Sequence, residues 1–194
     1  MKRRGIQVMG LALGLGLAGT AFAQEDNKQG DLNVFLRGGV SDYTGDIGED
    51  VQAGPAWGLT VNVQPMRSLG FELGYEGSKN DVTPDVLPDA SFTRHGISGL
   101  LKIAPPLIEK VKPFVGVGLG ASYISVNGGG GLYDSDLVEE VPVAAGLEFN
   151  TGAITAGVRG TYRLLVDEGM ADGTTVGNPQ GGLFDASFTL GGRF

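Results

Sequence analysis

The chain has 194 residues, with 14 Lys and Arg against 22 Asp and Glu, 35 glycines and no cysteine. The acidic balance argues against a nucleic-acid partner, and the lack of cysteine removes disulfides and thiol chemistry. The length suits one domain, and no repeat or linker divides it.

Residues 1–23 read as a secretory signal peptide: Lys2, Arg3 and Arg4 precede an apolar core over Ile6–Ala18, and Ala21-Phe22-Ala23 supplies small residues for cleavage. The domain then runs over 24–194, with eleven basic and 22 acidic residues and a net charge of −11. No later segment is apolar enough for a transmembrane helix, so any membrane crossing must use strands.

Eight strands follow, at 32–40, 55–64, 70–78, 92–103, 111–126, 138–149, 153–165 and 181–194. The connections take 14, 5, 13, 7, 11, 3 and 15 residues, so long and short alternate. A meander of this kind has two unlike ends, as in a membrane barrel with tight turns on one side and long loops on the other.

A period of two divides each strand into two faces. In the second, Trp57, Leu59, Val61 and Val63 oppose Thr60, Asn62 and Gln64. In the last, Phe184, Ala186, Phe188, Leu190, Gly192 and Phe194 oppose Leu183, Asp185, Ser187, Thr189, Gly191 and Arg193. Twelve strand charges share the face opposite the apolar one: Arg37, Glu72, Glu76, Arg94, Lys102, Lys112, Glu140, Glu148, Arg159, Arg163, Asp185 and Arg193. Glu139 breaks the pattern at a loop end. If the apolar face meets lipid, the charges must line the interior, because Arg or Lys at the bilayer midplane costs about 2–4 kcal/mol. The aromatic residues support lipid. Trp57, Tyr75, Tyr123, Tyr162 and Phe184 stand near the loop end of the apolar face, and Phe71, Phe149 and Phe194 near the turn end. Two such belts are an interfacial signature.

With strand count, loop alternation and terminal Phe194 together, the chain resembles the small eight-stranded outer-membrane β-barrels of the OmpA/OmpX type, over residues 32–194 and for the barrel domain only. The resemblance implies an all-β, antiparallel, up-and-down transmembrane barrel in the outer membrane of a Gram-negative envelope. It implies outer-membrane lipid and lipopolysaccharide as surroundings. It also implies an assembly signal in the last strand, at Phe188, Leu190 and Phe194, read by the barrel-assembly machinery. A monomer is expected.

Catalysis has little support. The single histidine, His95, shares the apolar face with Ile97 and Leu101 near the loop end, and nearby Asp89 and Ser91 carry no flanking motif. Gly128–Gly131 lacks the Lys-Ser/Thr of a phosphate loop. No catalytic residue, metal site or cofactor is expected. Buried charges persist only when paired, and strand adjacency predicts Glu72 with Lys102, Glu76 with Arg94, Lys112 with Glu148 and Arg163 with Asp185. Such a network would plug the narrow bore. The loop acids, Asp42, Asp46 and Asp50 among them, form a self-repelling rim or bridge divalent cations to anionic lipid. The leading expectation is a structural, adhesive or minor permeability role. The alternatives are a narrow pore or transporter for small or apolar solutes, and a soluble exported lipocalin-like barrel.

Overall fold

A computed structural model describes residues 31–66, 68–83, 90–105, 110–127, 136–151, 154–166 and 181–193. These form eight strands: β1 Asp31–Gly45, β2 Gly54–Met66, β3 Leu69–Asp81, β4 Ser91–Ile103, β5 Val111–Asn127, β6 Asp136–Asn150, β7 Ile154–Val166 and β8 Gly181–Arg193. A 3-10 turn, Asp46–Glu49, follows β1. Each strand pairs antiparallel with its sequence neighbour, and β8 closes on β1.

The register fixes the barrel's geometry. From Gly38 the cross-strand row passes Trp57, Gly77, His95 and Tyr123 to Leu137. In the other direction it passes Phe188 and Val158 to Leu147. Both arrivals are on β6, ten residues apart. A shear of ten over eight strands tilts them by about 40° and leaves a bore that side chains can fill.

Several strands run further toward the loop end than the sequence suggests. Asp42, Tyr43 and Thr44 pair with Phe184, Leu183 and Gly182, while Lys79 and Asp81 pair with Thr93 and Ser91. These polar, turn-like residues read as loop, but a partner backbone in register satisfies their amides. Pro65, lacking an N–H, lies where the β2–β3 register shifts between Val63 and Met66. Pro142 sits within β6 where pairing with β5 lapses between Val143 and Glu140.

Burial is inverted relative to a water-soluble protein. Leu36, Leu119 and Phe188 are 66, 74 and 74% exposed, whereas Arg163 and Glu140 are 1 and 2% exposed. Apolar side chains that do face inward form two clusters. Leu100, Ala104, Phe114 and Ala144 pack toward the turn end. Tyr43, Val51 and Leu183, with Phe92 against them, pack over the loop end.

Candidate functional site

The inward face of the tilted strands brings ten charged side chains into two groups. The group nearer the loop end holds three arginines and three carboxylates. Glu76 accepts from Arg37 at 2.7 Å and from Arg163, and Arg94 stands 3.8 Å away. Glu140 accepts from Arg94 through Nε at 2.9 Å and Nη2 at 2.5 Å, and from Ser122 at 2.5 Å. Arg37 also donates to Asp185 at 3.1 Å. The group nearer the turn end holds two bases and two acids. Glu72 pairs with Lys102 at 3.1 Å and accepts from Arg159 at 2.5 Å, and Lys102 also donates to Glu148. Each group is formally neutral.

Aromatic rings and hydroxyls complete the interior. The Lys102 ammonium lies 4.5 Å from the Phe114 ring centre and 5.9 Å from that of Phe35, in cation–π range. A Cβ on Gly146 would stand 2.7 Å from the Phe114 ring, so only glycine leaves that ring its place. Between the two groups, Thr60 and Ser98 flank Gly74, and their hydroxyls face the space above it. A cavity of about 10 Å³ bordered by Phe35, Thr60, Glu72 and Arg159 has room for about one water.

Of the twelve charges expected inside, Arg37, Glu72, Glu76, Arg94, Lys102, Glu140, Arg159, Arg163 and Asp185 are buried. Glu148 and Lys112 are half-buried, and Arg193 is exposed. Lys112 and Arg193 hold the inward register but stand at the turn-end mouth of the barrel. Two expected pairs occur, Glu72 with Lys102 and Glu76 with Arg94. Two are corrected. Glu148 lies opposite Lys112 in register, but its carboxylate receives Lys102 instead. Arg163 reaches Glu76, and Asp185 receives Arg37. In a narrow bore a long side chain meets a carboxylate across the lumen as easily as one on the next strand.

The loop end is covered by the segment after β1. Val51 bridges to Val82, and Gln52 and Thr83 donate to Asp81 and Asp50 at 2.8 Å. Fully buried Asn80 ties this segment down, donating to the Ser41 and Gln52 carbonyls at 3.0 Å and accepting from the Ser41 hydroxyl at 3.2 Å. Asn80→Ala is expected to cost about 2–3 kcal/mol and to speed amide exchange at Gln52 and Thr83. Unchanged exchange would show that the cover holds without it.

Outside the barrel, Trp57, Tyr75, Tyr123, Tyr162 and Phe184 are exposed toward the loop end, and Phe71 and Phe149 toward the turn end. Phe188 and Leu190 face outward on β8. The signal peptide, Gly128–Gly131 and Phe194, expected in both the belt and the assembly signal, lie outside the described residues. His95 is exposed on the outer face, where its Nδ1 is 2.7 Å from the Tyr75 hydroxyl. Among the described residues no three His, Asp or Glu converge to hold a metal ion.

The outer membrane protein beta-barrel domain family matches residues 9–191. Among solved structures, Neisserial surface protein A superposes with a TM-score of 0.64 at 16% identity, covering 84% of this chain and 97% of that one. Ail, the attachment invasion locus protein of Yersinia pestis, gives 0.58 at 14% identity, covering 86 and 99%. OprG from Pseudomonas aeruginosa gives 0.51 at 15% identity, covering 87 and 97%. Identities this low speak to the fold alone. No curated protein is significantly similar in sequence.

Proposed function

We propose that this chain, which belongs to the outer membrane protein β-barrel domain family and lies in the outer membrane, is a closed, non-enzymatic envelope protein. It acts through its outer surface and its structural presence, and its lumen is plugged.

The observation that carries this reading is the bonding of the interior. Two neutral groups span the bore in succession, and the apolar cover of Tyr43, Val51, Phe92 and Leu183 lies over the loop end. A hydrated ion entering from either end would have to displace charge-assisted bonds that lack a ready replacement. The exposed surface is then left to do the work. The long connections lie on the outer side, and Asp42, Glu49, Asp50 and Asp81 make the described part of that rim acidic. A surface or adhesive role is consistent with the name of one structural relative, the attachment invasion locus protein of Yersinia pestis. His95 supports non-enzymatic use: its ring is taken up by Tyr75 and Trp57, with no serine or carboxylate bonded to it among the described residues. The protein is further proposed to be monomeric, with Phe188 and Leu190 in the segment read by the assembly machinery.

Planar-bilayer recording of the pure, folded protein tests the plug. Wild type and Glu72→Gln are both expected to be silent, since Glu72→Gln loosens only the turn-end group. Discrete conductance steps in wild type would replace this reading with that of a narrow pore, and steps in Glu72→Gln alone would make that pair its gate.

A further inference from the structure

Beyond that reading, the outer face carries a built patch that the plug does not explain. Trp57, Gly77, His95 and Tyr123 are successive members of one cross-strand row. The Trp57 indole lies over Gly77: a Cβ there would stand 2.5 Å from the ring's Cε2 and Nε1, so glycine makes the seat. The indole meets His95 edge-on, with ring centres 6.5 Å apart and planes at 66°. The Tyr75 ring lies nearly parallel to the imidazole, with centres 6.2 Å apart and planes at 19°, and reaches it edge to edge through a hydroxyl 2.7 Å from Nδ1.

The Tyr75 hydroxyl and Nδ1 are within hydrogen-bond distance, and the direction of that bond goes with the tautomer. A phenol O–H is a good donor to an imidazole nitrogen, and a donated bond at Nδ1 places the proton on Nε2. Nε2–H is then a donor directed away from the Tyr75 hydroxyl. Lys79 is exposed two residues beyond Gly77 on the same face of β3, one diagonal step from His95. On a domain with a net charge of −11, two neighbouring donors on the outward face form a local exception. Asp81 stands further out on the same strand face, and Glu139 lies beyond Tyr123 on β6.

We propose that Lys79, His95, Tyr75 and Trp57 form a binding site for the phosphorylated sugar headgroup of an outer-leaflet glycolipid. The Trp57 and Tyr75 rings offer apolar faces on which a sugar ring can lie, at the interfacial level where aromatic residues of membrane proteins collect. Nε2–H and the lysine ammonium supply the donors that a phosphate accepts. Tyr75 is a positioning residue that sets the tautomer and the ring angle. The occupant must be a membrane component, because the patch faces outward at the membrane boundary rather than into the lumen.

The test uses the folded chain in phosphatidylcholine nanodiscs doped with diphosphoryl lipid A, or with lipid A stripped of its phosphates. Retained glycolipid is read by native mass spectrometry, and the His95 imidazole by nitrogen NMR. Wild type is expected to retain the phosphorylated form and shift Nε2, with inorganic phosphate failing to displace it. The His95→Phe/Lys79→Gln double variant keeps an aromatic ring at position 95 but should retain it about tenfold less, and Tyr75→Phe should fall between. Both variants lie on the outer surface, and a heat-dependent gel shift checks their folding. Lys110→Gln, at the opposite end, should behave as wild type. Equal retention of the two lipids, an unchanged double variant, or the same loss in Lys110→Gln would each overturn the site.

Discussion

Glu76→Ala should cost the barrel about 3–5 kcal/mol, the range for removing one partner of a buried charge pair. Glu76 is the shared acceptor for Arg37 and Arg163, with Arg94 3.8 Å away. Its removal leaves three arginines against Glu140 and Asp185, a net positive charge among buried side chains. The half-buried Glu148 gives the contrast. Its side chain is 12% exposed at the turn-end mouth, and Lys102 keeps Glu72 at 3.1 Å when Glu148 is lost. Glu148→Ala should therefore cost only about 1 kcal/mol. Guanidinium unfolding in detergent, followed by the cold-versus-boiled gel shift, ranks the two. A rescue sharpens the result: Glu76→Met combined with Arg163→Met restores neutrality with apolar volume, and such exchanges are often neutral or stabilising. A Glu76→Ala cost below about 1 kcal/mol would mean that water reaches the group and solvates the freed guanidinium.

Which face of each strand meets lipid was legible because a barrel wall is one strand thick. Every side chain points either in or out, so the parity of Arg37 against Leu36, or of Asp185 against Phe184, already assigns the two surfaces. Closure and strand order were legible from the alternating connections for the same topological reason. The pairing inside was not. Arg37 meets Asp185 across 148 positions, and Arg159 meets Glu72 across 87. Which of several carboxylates a guanidinium finds depends on shear and side-chain reach, and period-two patterning carries neither. Phe35, Phe114 and Tyr43 were also missed. They break the rule of small and polar inward residues, and their place rests on local complementarity: Lys102 over two rings, Gly146 beneath one, Val51 over another. The aromatic seat around His95 left a fainter signal. His95 on the apolar face was visible, but its contact with Trp57 spans two strands and needs a glycine between them.

Leu36 and Arg37 are neighbours on β1, and exchanging their characters separates lipid on the outside from water on the outside. Leu36 is 66% exposed and Arg37 7%. Leu36 pairs with Leu59 and Leu190, well inside the apolar band. In a bilayer, Leu36→Arg should cost about 2–4 kcal/mol, the range for a base near the midplane. On a water-facing barrel the same change would stay within about 0.5 kcal/mol. Arg37→Leu tests the other face. It strips Asp185 of the 3.1 Å bond and Glu76 of the 2.7 Å bond, while Glu76 keeps its bond from Arg163. A cost of about 3 kcal/mol is expected from the unpaired carboxylate. The medium then distinguishes the causes. In short-chain detergent micelles, where headgroups and water come close to the band, the Leu36→Arg penalty should shrink, while the Arg37→Leu penalty should stay, because lipid does not touch Asp185. If both penalties fell together, the charged groups would be exchanging with solvent, and the plug would have to be replaced by a hydrated lumen.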